Sequence, residues 1–336
     1  MQVTLGSDRT GNRIDRIWGQ RLDQSAYVDF SKKVSENIGR VIVGKQAEIE
    51  KIIVALICRG HVLLEDLPGT GKTMLARALA ISLGGTFKRI QFTPDLLPND
   101  VTGVSVFNSK SSEFEFKEGP VFANVLLADE INRATPRTQS AMLECMGENQ
   151  VSADGVTYAL PKPFLVVATQ NPVEYEGTFP LPEAQLDRFF MKLSLGYPTT
   201  DEEKRILYDQ VSGHPVHSIG AVTDTSLLAE LQNDVGQVHV DDTVADYILA
   251  LTRSTRNHPN VALGSSTRGS LALFAASQAL AAIRGRDYVL PDDVKEVAAD
   301  VLTHRILVDP ESALRGFSAE DITGAVLADT EVVLAS

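Results

Sequence analysis

The stretch His61-Val62-Leu63-Leu64-Glu65, running into Asp66-Leu67-Pro68-Gly69-Thr70-Gly71-Lys72-Thr73, constrains this chain more than any other. A short apolar strand that ends in a Gly-rich turn and opens a helix is the setting in which a phosphate-binding loop is expected. Gly69 and Gly71 let backbone N–H groups close on an anion, and the helix N-terminus adds partial positive charge. The expected nucleotide-binding residues are therefore Pro68, Gly69, Thr70, Gly71, Lys72, Thr73 and Met74. Lys72 would reach the outer phosphates, and the Thr73 hydroxyl would ligate Mg2+. The pattern's first glycine is Asp66 in this chain. That glycine relaxes the turn more than it touches phosphate, so the loop is expected to survive. A strand-to-helix turn without a ligand is the plain alternative, and the flanking strand and helix argue against it.

The second informative run is Val125-Leu126-Leu127-Ala128-Asp129-Glu130, an apolar strand ending in two acids. On a parallel sheet the C-terminal ends of strands face the ligand crevice. Asp129 would hold the metal through water, and Glu130 would orient and polarise an attacking water. Alone such a strand is weak; downstream of a phosphate loop it is specific. Further strands are expected at Lys88–Phe92, Phe164–Ala168 and Phe190–Leu193, with helical stretches between most of them. That alternation predicts an α/β fold with a parallel sheet. Two hairpins interrupt it, Val104–Phe107 with Glu113–Phe116, and Gln150–Ser152 with Val156–Leu160 around Asp154-Gly155.

Beyond about Pro198 the periodicity is helical, with candidates at 201–211, 225–235, 241–255, 267–284, 291–303 and 318–330. The expected organisation is a poorly ordered arm over 1–30, an α/β nucleotide-binding domain over 31–198 and an all-helical domain over 199–336. Of the net charge of −13, residues 201–336 carry −11, with 21 acidic and 10 basic side chains. Such a surface repels phosphate backbones, which disfavours nucleic acid as a partner. The longest apolar run, Ile52–Cys58, is far short of a bilayer span, and Met1–Gln20 lacks a signal-peptide core. A cytoplasmic protein without membrane insertion is expected. Cys58 and Cys145 sit singly among aliphatic residues and read as small buried hydrophobes. His214, His217, His239, His258 and His304 have no metal-ligand spacing, so exposed or locally bonded side chains are expected.

The stretches HVLLEDLPGTGKTMLARALA (61–80), ADEINRATPRTQSAMLECM (128–146), ATQNPVEYEGTFPLPEAQLDRFF (168–190) and GSSTRGSLAL (264–273) together resemble the AAA+ ATPases of the MoxR family. The resemblance covers about residues 35–330 and implies a hairpin inserted in the second helix and another before sensor 1, both in agreement with the hairpins read above. It implies a P-loop AAA+ parallel-sheet domain followed by an all-helical lid. Residue by residue, it places sensor 1 at Asn171, an arginine finger at Arg188 reaching a neighbouring subunit, and sensor 2 at Arg268 contacting the same nucleotide from another side. The family commonly has Pro before the last of these, where this chain has Thr267. Val43-Gly44 resembles the segment whose backbone meets adenine. For Arg188 the plain alternative is a surface salt bridge with Asp187 or Glu183. Arg133 and Arg137 read equally as contacts to a neighbouring protomer or as ordinary capping and ion-pair residues.

The family implies ATP and Mg2+ as substrate and cofactor, and a homo-oligomeric, hexameric ring. It also implies a chaperone-like role in maturing or activating protein complexes, with clients that often carry a von Willebrand factor A domain. A magnesium-chelatase-like motor subunit and a nucleic-acid motor of the same fold are the alternatives. The second needs a basic pore hairpin, whereas the first inserted hairpin holds Lys110 and Lys117 against Glu113, Glu115 and Glu118.

Overall fold

The computed structural model describes residues 24–172, 177–211 and 213–332. The strands are β1 (Val62–Glu65), β2 (Phe87–Gln91), β3 (Gly103–Asn108), β4 (Glu113–Glu118), β5 (Val125–Asp129), β6 (Gln150–Ala153), β7 (Val156–Ala159), β8 (Leu165–Gln170), β9 (Met191–Leu193), β10 (Val261–Leu263) and β11 (Leu307–Val308). The helices are α1 (Gln24–Gly39), α2 (Gln46–Ile57), α3 (Lys72–Ser82), α4 (Pro98–Thr102), α5 (Pro136–Glu148), α6 (Glu183–Leu186) and α7 (Thr200–Val211). They continue as α8 (Thr225–Asp234), α9 (Asp242–Asn257), α10 (Thr267–Ile283), α11 (Pro291–Leu302), α12 (Pro310–Leu314) and α13 (Ala319–Asp329).

The five strands expected from the sequence form one parallel sheet in the order β2-β5-β8-β1-β9. Its central strands, β5 and β8, are apolar until their last residues because both faces are covered, whereas the edge strand β2 carries Lys88, Arg89 and Gln91. Val62, Leu64, Val125, Leu127, Leu165 and Val167 point into one core, while Leu63, Leu126, Ala128, Val166 and Ala168 point into the other. The first core is continuous with the helical region through Leu251, Leu273, Leu280, Val297 and Ile322. The two inserted hairpins are β3–β4 and β6–β7, and Asp154 and Gly155 take the positive φ values, 50° and 78°, that a tight turn between strands needs.

One expectation is corrected, and two are made more specific. Of the arm expected over 1–30, residues 1–23 lie outside the described residues, but residues 24–30 open α1. Tyr27, Phe30, Val34 and Ile38 recur at helical spacing and are buried, and Tyr27 Oη donates to Leu231 O at 3.0 Å, tying α1 to the C-terminal region. The C-terminal region is helical as expected, with one short antiparallel pair, β10 and β11, between its helices. His304 takes the bonded alternative: it is buried, with Nε2 3.1 Å from Phe189 O. The cysteines fit their bland reading: both are free, Cys145 is buried and Cys58 half-buried, and burial pushes both thiols up. No helix among the described residues is long and apolar enough to cross a membrane.

Candidate nucleotide site

β1 delivers the chain to the loop 66–71, where Gly69 (φ 85°) and Gly71 (φ 90°) both adopt the left-handed conformation. Gly71 is the N-cap of α3, so the first-turn N–H groups of that helix face the cavity beside it. The cavity holds about 410 Å³ and is lined by Pro68 to Met74 on one side and by Asp129, Glu130 and Asn171 on the other. The sheet brings these together because β5 and β8 are adjacent to each other and β8 is adjacent to β1. Lys72 folds back onto its own loop, donating to Asp66 O at 2.7 Å and Leu67 O at 3.2 Å. Burial pulls its pKa down, opposed by the charges of Asp66, Asp129 and Glu130. An anionic phosphate would relieve that cost and offers Lys72 a better acceptor than a carbonyl.

Both acids are held by Arg89, Gln91 and Thr169, which sequence reasoning missed, and by Arg133, which it left open. Asp129 Oδ2 accepts from Arg89 Nε at 3.0 Å and Nη2 at 2.6 Å, and its Oδ1 accepts from Thr169 Oγ1 at 2.6 Å. Glu130 has a left-handed backbone, φ 56°, and its N–H donates to Thr169 Oγ1 at 2.8 Å. Glu130 Oε2 accepts from Gln91 Nε2 at 2.6 Å and from Arg133 Nη1 at 3.0 Å. Arg133 thus belongs to the acid pair, whereas Arg137 is exposed at the start of α5. The alternation Arg89, Gln91 on one face of β2 was available in the sequence; its pairing partner was not.

Asp66 has a structural reason to replace glycine. Its carboxylate is buried and accepts from Ser194 Oγ at 2.7 Å, Leu195 N at 2.7 Å and Gly196 N at 2.9 Å. It fastens the loop entrance to the segment after β9. A second cavity of about 220 Å³ adjoins the loop, with Val41, Ile42, Val43, Met74, Ile206 and Pro215 on its wall. Val43 therefore lies where a flat apolar base would fit. Gly44 stands behind it at φ 77°, where a Cβ would collide with the Glu202 carboxylate.

Arg188 and Arg268 do not reach the phosphate cavity of their own chain. They share a different cavity of about 460 Å³ with Arg59, Asp187 and Arg305. Arg188 Nη1 donates to Leu143 O at 2.8 Å, and it pairs with neither Asp187 nor Glu183. Arg268 is exposed on α10, whose N-cap Ser266 accepts from Arg268 N at 3.1 Å. Thr267 is the first residue of that helix, so the departure from proline leaves the helix start in place.

Among the described residues no cluster of three or more His, Cys, Asp or Glu could hold a metal alone. The donor set of Thr73 and Asp129 suits a magnesium ion that keeps waters and takes its other oxygens from substrate phosphates.

Fold and site together define a P-loop ATPase module of the AAA+ class with its lid. A family model described as "ATPase family associated with various cellular activities (AAA)" matches residues 61–191, and one for the AAA lid domain matches residues 253–324. The chain is 52% identical over 300 residues to the uncharacterized protein YeaC of Bacillus subtilis, covering 89% of this chain and 94% of that one. It is 44% identical over 312 residues to Chaperone MoxR1 of Mycobacterium tuberculosis, covering 90% and 82%. A crystal structure from Cytophaga hutchinsonii, 39% identical, superposes with a TM-score of 0.87 over 93% of this chain and 97% of that one. The chain belongs to the MoxR family of AAA+ ATPases.

Proposed function

We propose that this chain hydrolyses ATP with Mg2+ as a ring, hexameric by family resemblance, and uses the turnover to remodel a protein client. One observation carries the reading: each subunit holds Lys72, Thr73, Asp129, Glu130 and Asn171 around one cavity and displays Arg188 and Arg268 on another. Such a subunit has a phosphate site whose lining arginine, Arg89, is tied to Asp129, and a pair of arginines remote from that subunit's own phosphate loop. A ring of identical subunits joins the two.

In this reading the loop N–H groups and Lys72 bind the outer phosphates, and the Asn171 amide helps hold the attacking water. Glu130 takes the proton from that water as it attacks the terminal phosphorus. Mg2+, held by Thr73 and through water by Asp129, would neutralise phosphate charge. Arg188, with Arg268 beside it, would stabilise the charge that develops on the transferred group of the neighbour's nucleotide.

A protein client fits better than nucleic acid. The tip of the β3–β4 hairpin exposes Phe107 and Phe114 in edge contact, centroids 5.3 Å apart, and the acids Glu113 and Glu115 flank them. The relative named Chaperone MoxR1 supports a chaperone-like role. A client with a von Willebrand factor A domain rests on family resemblance.

The test combines three variants. Lys72→Ala should lose nucleotide binding, whereas Glu130→Gln should keep it and lose phosphate release. Specific activity should rise with protein concentration. Arg188→Ala, inactive alone, should regain turnover when mixed with Lys72→Ala. Normal turnover in Glu130→Gln, or no recovery in confirmed mixed rings, would overturn the assignment.

A further inference from the structure

Asp187, the residue before Arg188, is the meeting point of the two domains. Its Oδ1 accepts from Arg305 Nε at 2.9 Å and its Oδ2 from Ser266 Oγ at 2.9 Å, with Arg268 Nη1 3.9 Å away. Arg305 comes from the lid, and its side chain is only 3% exposed. Its other guanidinium N–H groups are engaged too: Nη2 donates to Phe189 O at 2.6 Å, and Nη1 faces Phe190 O at 3.3 Å, Val301 O and His304 Nε2 at 2.8 Å. Gly269 on α10 leaves the space this arginine uses, since a Cβ there would lie 3.1 Å from Arg305 Cδ and strike Ser265 Oγ.

The guanidinium of Arg305 therefore grips the backbone on the C-terminal side of Arg188, and the carboxylate on its N-terminal side. That same carboxylate holds the hydroxyl that caps the helix carrying Arg268. Arg188 itself is pinned at its far end by Leu143 O. Taking a charged pair out of water is costly, and apolar packing would serve stability as well. What apolar packing does not supply is a directional link from one arginine's backbone to the other arginine's helix.

We propose that Asp187 and Arg305 are positioning residues, a clasp that fixes Arg188 relative to Arg268 so that both meet the neighbouring subunit's nucleotide together. The inference rests on the neighbour-facing reading above. It also makes the clasp the route by which lid orientation reaches the arginine pair.

The test uses Asp187→Asn, Arg305→Lys and Ser266→Ala in the full chain. Asp187→Asn keeps shape and one hydrogen bond; Arg305→Lys keeps charge and loses the fork. Ser266 is exposed, so its variant keeps the experiment decisive where a clasp variant fails to fold. The expected result is turnover at least about tenfold lower for the clasp variants and about two- to threefold lower for Ser266→Ala. Nucleotide affinity should stay within twofold of the wild type, which general damage to the fold would not allow. Mixed with Lys72→Ala, which supplies intact arginines, Asp187→Asn should recover turnover; mixed with Arg188→Ala it should not. Recovery with Arg188→Ala, no recovery with Lys72→Ala, or nucleotide affinity falling in step with turnover would overturn the clasp.

The control mixture of Arg188→Ala with Lys72→Ala is read separately. Its failure would count against the neighbour-facing reading. The clasp would then be judged by single variants alone: a loss matching that of Arg188→Ala upholds it, and wild-type turnover overturns it.

Discussion

The side-chain amide of Gln91 donates to Glu130 Oε2 at 2.6 Å, joining β2 to the acid that follows β5. Arg133 Nη1 occupies the same oxygen at 3.0 Å. One oxygen of the carboxylate proposed to take a proton from water is thus already engaged by two donors, one of them charged.

Gln91→Leu removes one of those donors without touching the phosphate loop. Basal turnover should rise several-fold while nucleotide affinity holds. Steady-state phosphate release beside a binding titration measures both. Turnover that falls instead would mean that Gln91 orients Glu130 rather than restrains it.

Restoring the glycine of the loop pattern should harm this chain. Asp66→Gly leaves Leu195 N and Gly196 N, now paired with its carboxylate, without partners. Unpaired buried donors cost roughly 1–3 kcal/mol each, so a loss of about 3 kcal/mol is expected. Denaturant unfolding of Asp66→Gly against the wild type checks it; equal stability would show that the loop entrance needs no such fastening.

Acid should weaken the fold through a buried histidine. His61 Nδ1 accepts from Val166 N at 3.0 Å and Nε2 donates to Met146 O at 3.1 Å, a pattern only the neutral ring can make. Burial pulls its pKa from 6.5 to about 4. The unfolded chain therefore binds the extra proton between these values, and the stability tied to the neutral ring is present above pH 6.5 and lost as pH falls toward 4. At pH 5 the loss is about 2 kcal/mol relative to pH 7. His304 is also buried with a lowered pKa and acts in the same direction, so the comparison is with His61→Gln, whose pH 7 to pH 5 loss should be smaller by that amount. Parallel pH profiles for the two proteins would contradict it.

Nucleic acid should leave turnover unchanged. Residues 201–336 carry −11, and the β3–β4 hairpin sets Lys110 and Lys117 against three glutamates. At low salt, where electrostatic binding is strongest, neither single- nor double-stranded DNA should alter the ATPase rate. Several-fold stimulation abolished by Lys110→Glu or Lys117→Glu would favour a nucleic-acid motor.

The phosphate loop, the acid-ended strand, the five sheet strands and both hairpins were legible in the sequence because each is specified within a short window. A turn needs its glycines, a buried strand its apolar run, and a helix its cap, all within a few residues of one another. The first turns of α1 were legible too, in the spacing of Tyr27, Phe30, Val34 and Ile38; the glycines of residues 1–30 masked that signal. Tertiary structure decided what meets what. Gln91 and Arg89 reach the acids because β2 pairs with β5 in the register Gln91↔Asp129, and Thr169 reaches them because β8 lies on the other side of β5. Asp66 finds its three donors about 130 residues downstream, and Asp187 finds Arg305 across 118. Such contacts are set by strand order and by how the lid docks, and the groups that make them carry no periodicity of their own. The sequence alone therefore determined which chemistry the loop and its acids are built for; the placement of Arg188 and Arg268 away from their own phosphate cavity was a property of the fold.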